Sequence, residues 1–307
     1  MSDPSCLFNL LKTLYTLRNI VQPFWFNYYF YVILQTTNYT EFFDLNQITN
    51  RISQTGQSTI NAVTAIGYAS ILIWDSLLLL FMGKRVNQPV RFGLIVDEII
   101  NAGVKAVPVV ALMSATIGVM LSIQGIHTLS IFGAETQVTI GLAISIPREF
   151  APLITGILVA GRSGSQLTSR VGSMQLNGEI DALTVMGIAP ARYVVAPSLI
   201  GLLVSLPVLV VIGNLAAFSA AGLYIHATLG IGPDAYWADV LDVVTIDDFL
   251  HGIMKSFIFA ILLAMIAISL GMRVYGGAEV LGKSTTQSVV TCIAAIIAAD
   301  TVFALLL

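Results

Sequence analysis

Five long apolar runs decide what this chain can fold into; they cover roughly residues 102–124, 138–160, 194–224, 250–272 and 288–306. A hydrocarbon core about 30 Å thick takes about 20 residues of helix at about 1.5 Å per residue, so each run is long enough to cross it. Inside hydrocarbon every backbone N–H and C=O must be satisfied within the segment, which makes the expected fold class an all-α integral membrane protein with five transmembrane helices. Composition agrees, with 56% hydrophobic and only 10% charged residues, where a soluble domain carries about 25% charged. Cys6 lies in the amino-terminal segment and Cys292 in an apolar run. That placement implies neither a disulfide framework nor a metal cluster.

The connections between the runs alternate in charge. Lys84, Arg85, Arg91 and Lys105 lie before or at the start of the first run, Arg162, Arg170 and Arg192 lie between the second and third, and Arg273 and Lys283 between the fourth and fifth. The connection 124–137 has no Lys or Arg, and 226–248 holds Asp234, Asp239, Asp242, Asp247 and Asp248. By the positive-inside rule the amino terminus is cytoplasmic and the carboxyl terminus lies outside. The start of the chain scatters its charges and shows no small-residue cleavage site, so insertion rests on the internal helices.

Residues 1–58 form an amino-terminal extension without an assignment. Pro23 to Leu34 is aromatic and about twelve residues long, too short to span, and reads either as interfacial or as part of a small soluble appendage. Thr59 to Met82 is a helical pattern broken by Asn61, Thr64, Ser70, Asp75 and Ser76. It reads as a first span or as a helix lying in the cytoplasmic leaflet with Trp74 near the headgroups. Counted as a sixth span it would place the amino terminus outside.

Ionisable residues inside the runs are costly, roughly 2.5–3.5 kcal/mol each on insertion scales, and should face a bundle interior or a wet cavity. Arg148 and Glu149 are adjacent in the second run. Lys255 lies about six residues, and Asp300 about seven, from the outer ends of the last two runs. The depths match, so the two are expected to form an intramembrane ion pair joining those helices. Ser114, Gly118 and Ser122 fall four apart, a small-residue stripe that reads as close helix packing. Pro108, Pro147, Pro152 and Pro207 each interrupt or kink a helix.

The stretch from Pro147 to Pro190 passes from apolar helix through a glycine-rich hinge to a short charged helix. The hinge residues are Gly161, Arg162, Gly164 and Gly172. The short helix covers about 178–186, with Ile180, Leu183 and Met186 at helical spacing and Glu179 and Asp181 in the first turn, where the helix dipole favours acids. Asn177 reads as its N-cap, and Gly187 followed by Pro190 as its stop. An amphipathic helix of this length lies on a membrane surface or against a partner protein.

Enzyme chemistry is absent from the motifs. The segment GRSGS at Gly161 to Ser165 follows a membrane helix and lacks the spacing of a phosphate loop. His127, His226 and His251 have no metal-ligand spacing and read as loop residues. If ATP drives this chain, another chain binds it.

Three segments carry a resemblance: REFAPLITGILVAGRSGSQLTSRVGSM, EIDALTVMGIAPARYVVAP, and YGGAEVLGKSTTQSVV with Asp300 downstream. Over about residues 60–307 the chain resembles the MlaE permeases, membrane subunits of ABC transporters that move phospholipids or related lipids. The resemblance implies a permease domain over 59–307 with an interfacial helix at 59–82 and five spans in each subunit of a homodimer. The implied partners are a cytoplasmic ABC ATPase dimer that binds the ATP, a STAS-type accessory protein and MCE-domain lipid-binding proteins outside; no cofactor in this chain and no nucleic acid are implied. The helix at 178–186 would be the coupling helix seated in the ATPase, and Arg148 and Glu149 match the family's Arg-Glu pair near the lipid cavity. Asn177, Gly178 and Glu179 stand where many relatives have Thr-Glu-Gln, and Ala189 replaces a frequent Asp. The competing reading is a stand-alone secondary transporter of an amphipathic substrate, which would normally show internal repeats that five spans do not supply. A purely structural membrane anchor for an external lipid-binding ring is a third.

Overall fold

The computed structural model describes residues 92–306, together with Thr64 and Gly67. The readings made for 1–58, and for 59–82 apart from those two residues, lie outside the described residues. All regular elements among the described residues are helical. Five helical stretches are long and apolar enough to cross a membrane: Phe92–Ser130, Glu135–Leu176, Arg192–Leu229, Ile246–Gly271 and Ala278–Leu306. Each begins ahead of its apolar run, and the first three also continue past it.

The first stretch comprises α1 (Phe92–Ala102), a 3-10 turn and α2 (Val107–Ser130). The second runs as α3 (Val138–Ser145), a π-helical turn Ile146–Phe150, α4 (Ala151–Val159), a second π turn Ala160–Gly164, and α5 (Ser165–Leu176). The short α6 (Glu179–Val185) follows. Beyond it a π turn Ala191–Val195 leads into α7 (Ala196–Leu229), then α8 (Pro233–Val243), α9 (Ile246–Gly271) and α10 (Ala278–Leu306).

The centre is α7, whose buried face meets α2, α1, α4 and α9. Its seam with α2 is built from small residues: the buried residues of α2 are Val110, Ser114, Gly118 and Ser122. A side chain on Gly118 would run into the Ala217 backbone, and one on Gly213 would meet the Ser114 hydroxyl at 3.0 Å. Lipid is as apolar as leucine, so helices in it associate by such close packing rather than by burial from water. Polar contacts add to it: Thr168 Oγ1 donates to the Ala267 carbonyl at 3.0 Å and sits 2.7 Å from Ser288 Oγ, tying α5 to α9 and α10.

Pro147 and Pro152 do not break the second span. Pro147 falls inside the π turn and Pro152 at the start of α4. A widened turn and a helix start are the places where a residue without an N–H fits. The expected glycine hinge is likewise helical, the π turn Ala160–Gly164 continuing directly into α5.

Asn177 does not N-cap α6. It closes α5 as its C-cap, and Gly178, at φ 71°, opens α6 from the left-handed region that favours glycine. Asn177 Nδ2 instead donates to Glu179 Oε1 at 3.2 Å. At the other end Ile188 N donates to Leu183 O at 2.9 Å and Gly187 N to Thr184 O at 3.0 Å, the paired bonds of a Schellman stop with glycine at φ 74°. Met186 falls just outside the helix, as its C-cap.

The acidic connection 226–248 contains a helix, α8. In α8 Tyr236 is buried and its hydroxyl donates to Phe218 O at 3.0 Å. Its ring fills the space left by Gly222. Burial raises the Tyr236 pKa well above the ordinary phenol value. His127, His226 and His251, which read as loop residues, belong to α2, α7 and α9, and Asp248 lies in the first turn of α9.

Candidate functional site

Arg148, Glu149 and Lys255 gather where α9 meets the first π turn, with Asp300 reaching in from α10. The widened turn presents Arg148 and Glu149 on successive positions, and Gly252 lets α9 approach the Pro147 carbonyl at a distance no side chain would permit. Lys255 Nζ lies 2.5 Å from Glu149 Oε2 and 2.9 Å from Asp300 Oδ1. The Lys255 side chain is 0% exposed, Asp300 13% and Glu149 42%. A buried ammonium between two carboxylates from two other helices offsets its desolvation by pairing; with one partner removed, such a charge typically costs about 3–5 kcal/mol.

Arg148 is held separately. Its Nε lies 3.4 Å from Asp248 Oδ1. Asp248 is fixed from the other side by a capping box: Thr245 N and Oγ1 both donate to Asp248 Oδ2, at 3.0 and 2.7 Å. One carboxylate oxygen thus caps α9 and the other faces the guanidinium. At 39% exposure the Arg148 side chain keeps accessible surface at this depth. A guanidinium held by one edge has N–H groups left to offer a phosphate or carboxylate. Beside the cluster, a cavity of 230 Å³ lined by His251, Met254, Phe303 and Leu306 opens between α9 and α10.

At the basic end α6 buries Ile180 and Leu183 against the bundle and exposes Glu179, Asp181, Val185 and Met186. Val185 is 89% and Met186 64% exposed, an apolar tip facing away from the bundle. Of the residues assigned to the hinge, Gly164 lies under Leu263 and Cys292, and Gly172 is a close-approach position where a Cβ would meet Leu281 and Val274. Gly161 faces open space, and Arg162 lies beside it, half-buried, in the second π turn.

Two groups at these sites are not evident from sequence. Asp248, the Arg148 partner, looks like one acid among several in a connection; its distinguishing signal is Thr245 three residues earlier. Glu98 carries no such signal. It is 8% exposed, and Arg170 Nη1 donates to Glu98 Oε2 at 2.7 Å while Nη2 donates to Ser198 Oγ at 2.8 Å. This clamp joins α1, α5 and α7.

The family model described as Permease MlaE matches residues 95–306. The intermembrane phospholipid transport system permease protein MlaE of Haemophilus influenzae is 31% identical over 249 residues, 79% of this chain and 92% of that protein. A probable ABC transporter permease protein of Rickettsia bellii is 27% identical over 241 residues, 78% of this chain and 91% of that protein. A further probable ABC transporter permease protein, from Synechocystis, is 30% identical over 201 residues, 65% of this chain and 76% of that protein.

Proposed function

The chain belongs to the MlaE permease family, and from that premise we propose that it is the membrane subunit of an ABC transporter that moves phospholipid between membranes. The observation that carries the proposal is the charge cluster: Arg148, with accessible surface at span depth, and a fully buried Lys255 shared by Glu149 and Asp300. Arg148 contacts the lipid phosphate, which suits its fork of donors. Glu149, Lys255 and Asp300 hold the spans in register around it.

ATP is bound and hydrolysed by a separate ATPase dimer, and the chain itself is not an enzyme. The exposed tip of α6 seats in that ATPase, with Glu179, Asp181 and Met186 at the contact and Ile180 and Leu183 anchoring the helix. The π turn holding Gly161, Arg162 and Gly164 carries the movement into the second span, with Gly172 keeping α5 against α10. A second copy completes the lipid cavity, an MCE-domain carrier receives or delivers lipid outside, and a STAS-type protein assists within. In this arrangement the basic end faces the cytoplasm and the carboxyl terminus the periplasm of a bacterial inner membrane. ATP can only bias conformations that already differ, which is why the subunit interface must be bistable.

Purification from the native membrane in mild detergent, followed by mass spectrometry of proteins and lipids, tests the proposal. An ATPase and phospholipid are expected with the chain. A lone chain without an ATPase favours the secondary transporter and leaves the tip of α6 needing another partner.

A further inference from the structure

A cavity of 460 Å³ lies at the basic end among α1, α5, α6 and the start of α7, lined by Asp97, Glu98, Asn101, Arg170, Glu179 and Tyr193 together with apolar side chains. Its lining carries three carboxylates, Asp97, Glu98 and Glu179, and one guanidinium, Arg170. Arg170 is committed to Glu98 and Ser198, while Asp97 and Glu179 have no cation among the described residues. A recess of 20 Å³ shares Glu98, Asn101 and Arg170 and ends on Ser163. The Ser163 hydroxyl is buried, at 6% exposure, and has no partner; the recess has room for one water linking it to an occupant.

The cavity lies near the start of the third span. A Cβ on Gly201 would meet Glu98 Cγ at 2.6 Å, which places the Glu98 stem about five residues, or about 8 Å, into α7. On α1 and the turn after it Phe92, Ile100 and Val104 are exposed, an apolar face for lipid, and Tyr193 sits at the mouth of the cavity.

We infer that this cavity binds the headgroup of an amine-bearing phospholipid of the cytoplasmic leaflet, separately from the Arg148 cluster. The inference rests on reading the chain as a phospholipid permease with its basic end at the cytoplasm. A primary ammonium brings three donors to Asp97 and Glu179, and Arg170, whose side chain is 45% exposed, keeps the N–H groups it does not give to Glu98 and Ser198 for the phosphate that follows. A trimethylammonium has no N–H to give, and an anionic headgroup meets two carboxylates that pair with no cation among the described residues.

The test is native mass spectrometry of the full chain in detergent, supplied with phosphatidylethanolamine, phosphatidylcholine and phosphatidylglycerol. The wild type should retain phosphatidylethanolamine over phosphatidylglycerol, and Asp97→Asn with Glu179→Gln should lower that ratio about tenfold, the scale of a lost charge-assisted bond. Asp234→Asn with Asp239→Asn, at the other end, should leave it unchanged. A wild type that does not discriminate, a double variant that keeps its preference, or an equal drop in the distal variant overturns the site. Loss of the ATPase from an Asp97→Asn single variant, which leaves the α6 contact unaltered, at an unchanged lipid ratio also overturns it, and assigns Asp97 to a basic side chain of the cytoplasmic partner. A complex that binds phosphatidylethanolamine here yet moves no phospholipid refutes the permease reading and leaves the site standing.

Discussion

Lys255 Nζ sits 2.9 Å from Asp300 Oδ1, an ion pair that joins α9 to α10 within the spans, and the same ammonium reaches Glu149 on the first π turn. Removing the ammonium leaves two acids facing each other without a cation, whereas removing Asp300 leaves Lys255 one partner. Lys255→Ala should therefore lower thermal stability in detergent by more than Asp300→Ala, with a loss of about 3–5 kcal/mol for the lysine. Equal losses, or the reverse order, would show that Glu149 does not share the charge.

The α2–α7 seam leaves no room for a side chain at Gly118. Gly118→Leu should force the two helices apart and cost about 1–3 kcal/mol or more by overpacking. Gly141, with open space around its Cα, is the control: Gly141→Ala should change the melting temperature little. A Gly118→Leu chain that melts with the wild type contradicts the seam.

Tyr236 gives a pH signature. Its folded pKa is raised above the ordinary value of about 10, so its neutral form is favoured in the fold. That contribution is fully present below about pH 10 and is lost as the pH rises toward the folded value. Tyr236→Phe should melt lower than wild type near pH 8, by about 1 kcal/mol for the lost bond to Phe218, and lose less on going to pH 11. Parallel losses in the two proteins would mean the phenol is not confined.

The exposed tip of α6 should matter to assembly and not to folding. Val185 and Met186 lie outside the bundle's packing, so Met186→Asp should leave the melting temperature of the isolated chain unchanged while reducing ATPase retention on purification. A destabilised chain with normal retention would place Met186 in the fold.

The features legible in the sequence are those whose signals are local. Hydrocarbon thickness writes each span as a continuous apolar run, and the small-residue stripe of α2 repeats every fourth position, so both are visible within one segment. The depths of Lys255 and Asp300 follow from counting residues. The third member of their cluster does not, because Glu149 lies 106 positions from Lys255. The Arg170–Glu98 contact spans 72 positions and leaves no periodic trace. Asn177 misleads because an Asn before two acids and an apolar repeat matches an N-cap, while the residue that needs a left-handed backbone is its neighbour Gly178. In α8 the i, i+4 pair Tyr236 and Val240 is present but sits among aspartates, so the short apolar stripe does not stand out from the acidic connection.

Under the proposed function Arg148 handles the lipid in an ATP-driven permease. The direct measurement is ATP-dependent phospholipid transfer by the complex reconstituted with its ATPase, comparing wild type with Arg148→Ala, with complex yield scored in parallel. The account requires transfer to fall at least about tenfold, the scale of a lost charge-assisted contact, while assembly is retained. Transfer and assembly falling together would make Arg148 a helix-holding residue, and transfer at the wild-type rate would remove it from the lipid path altogether.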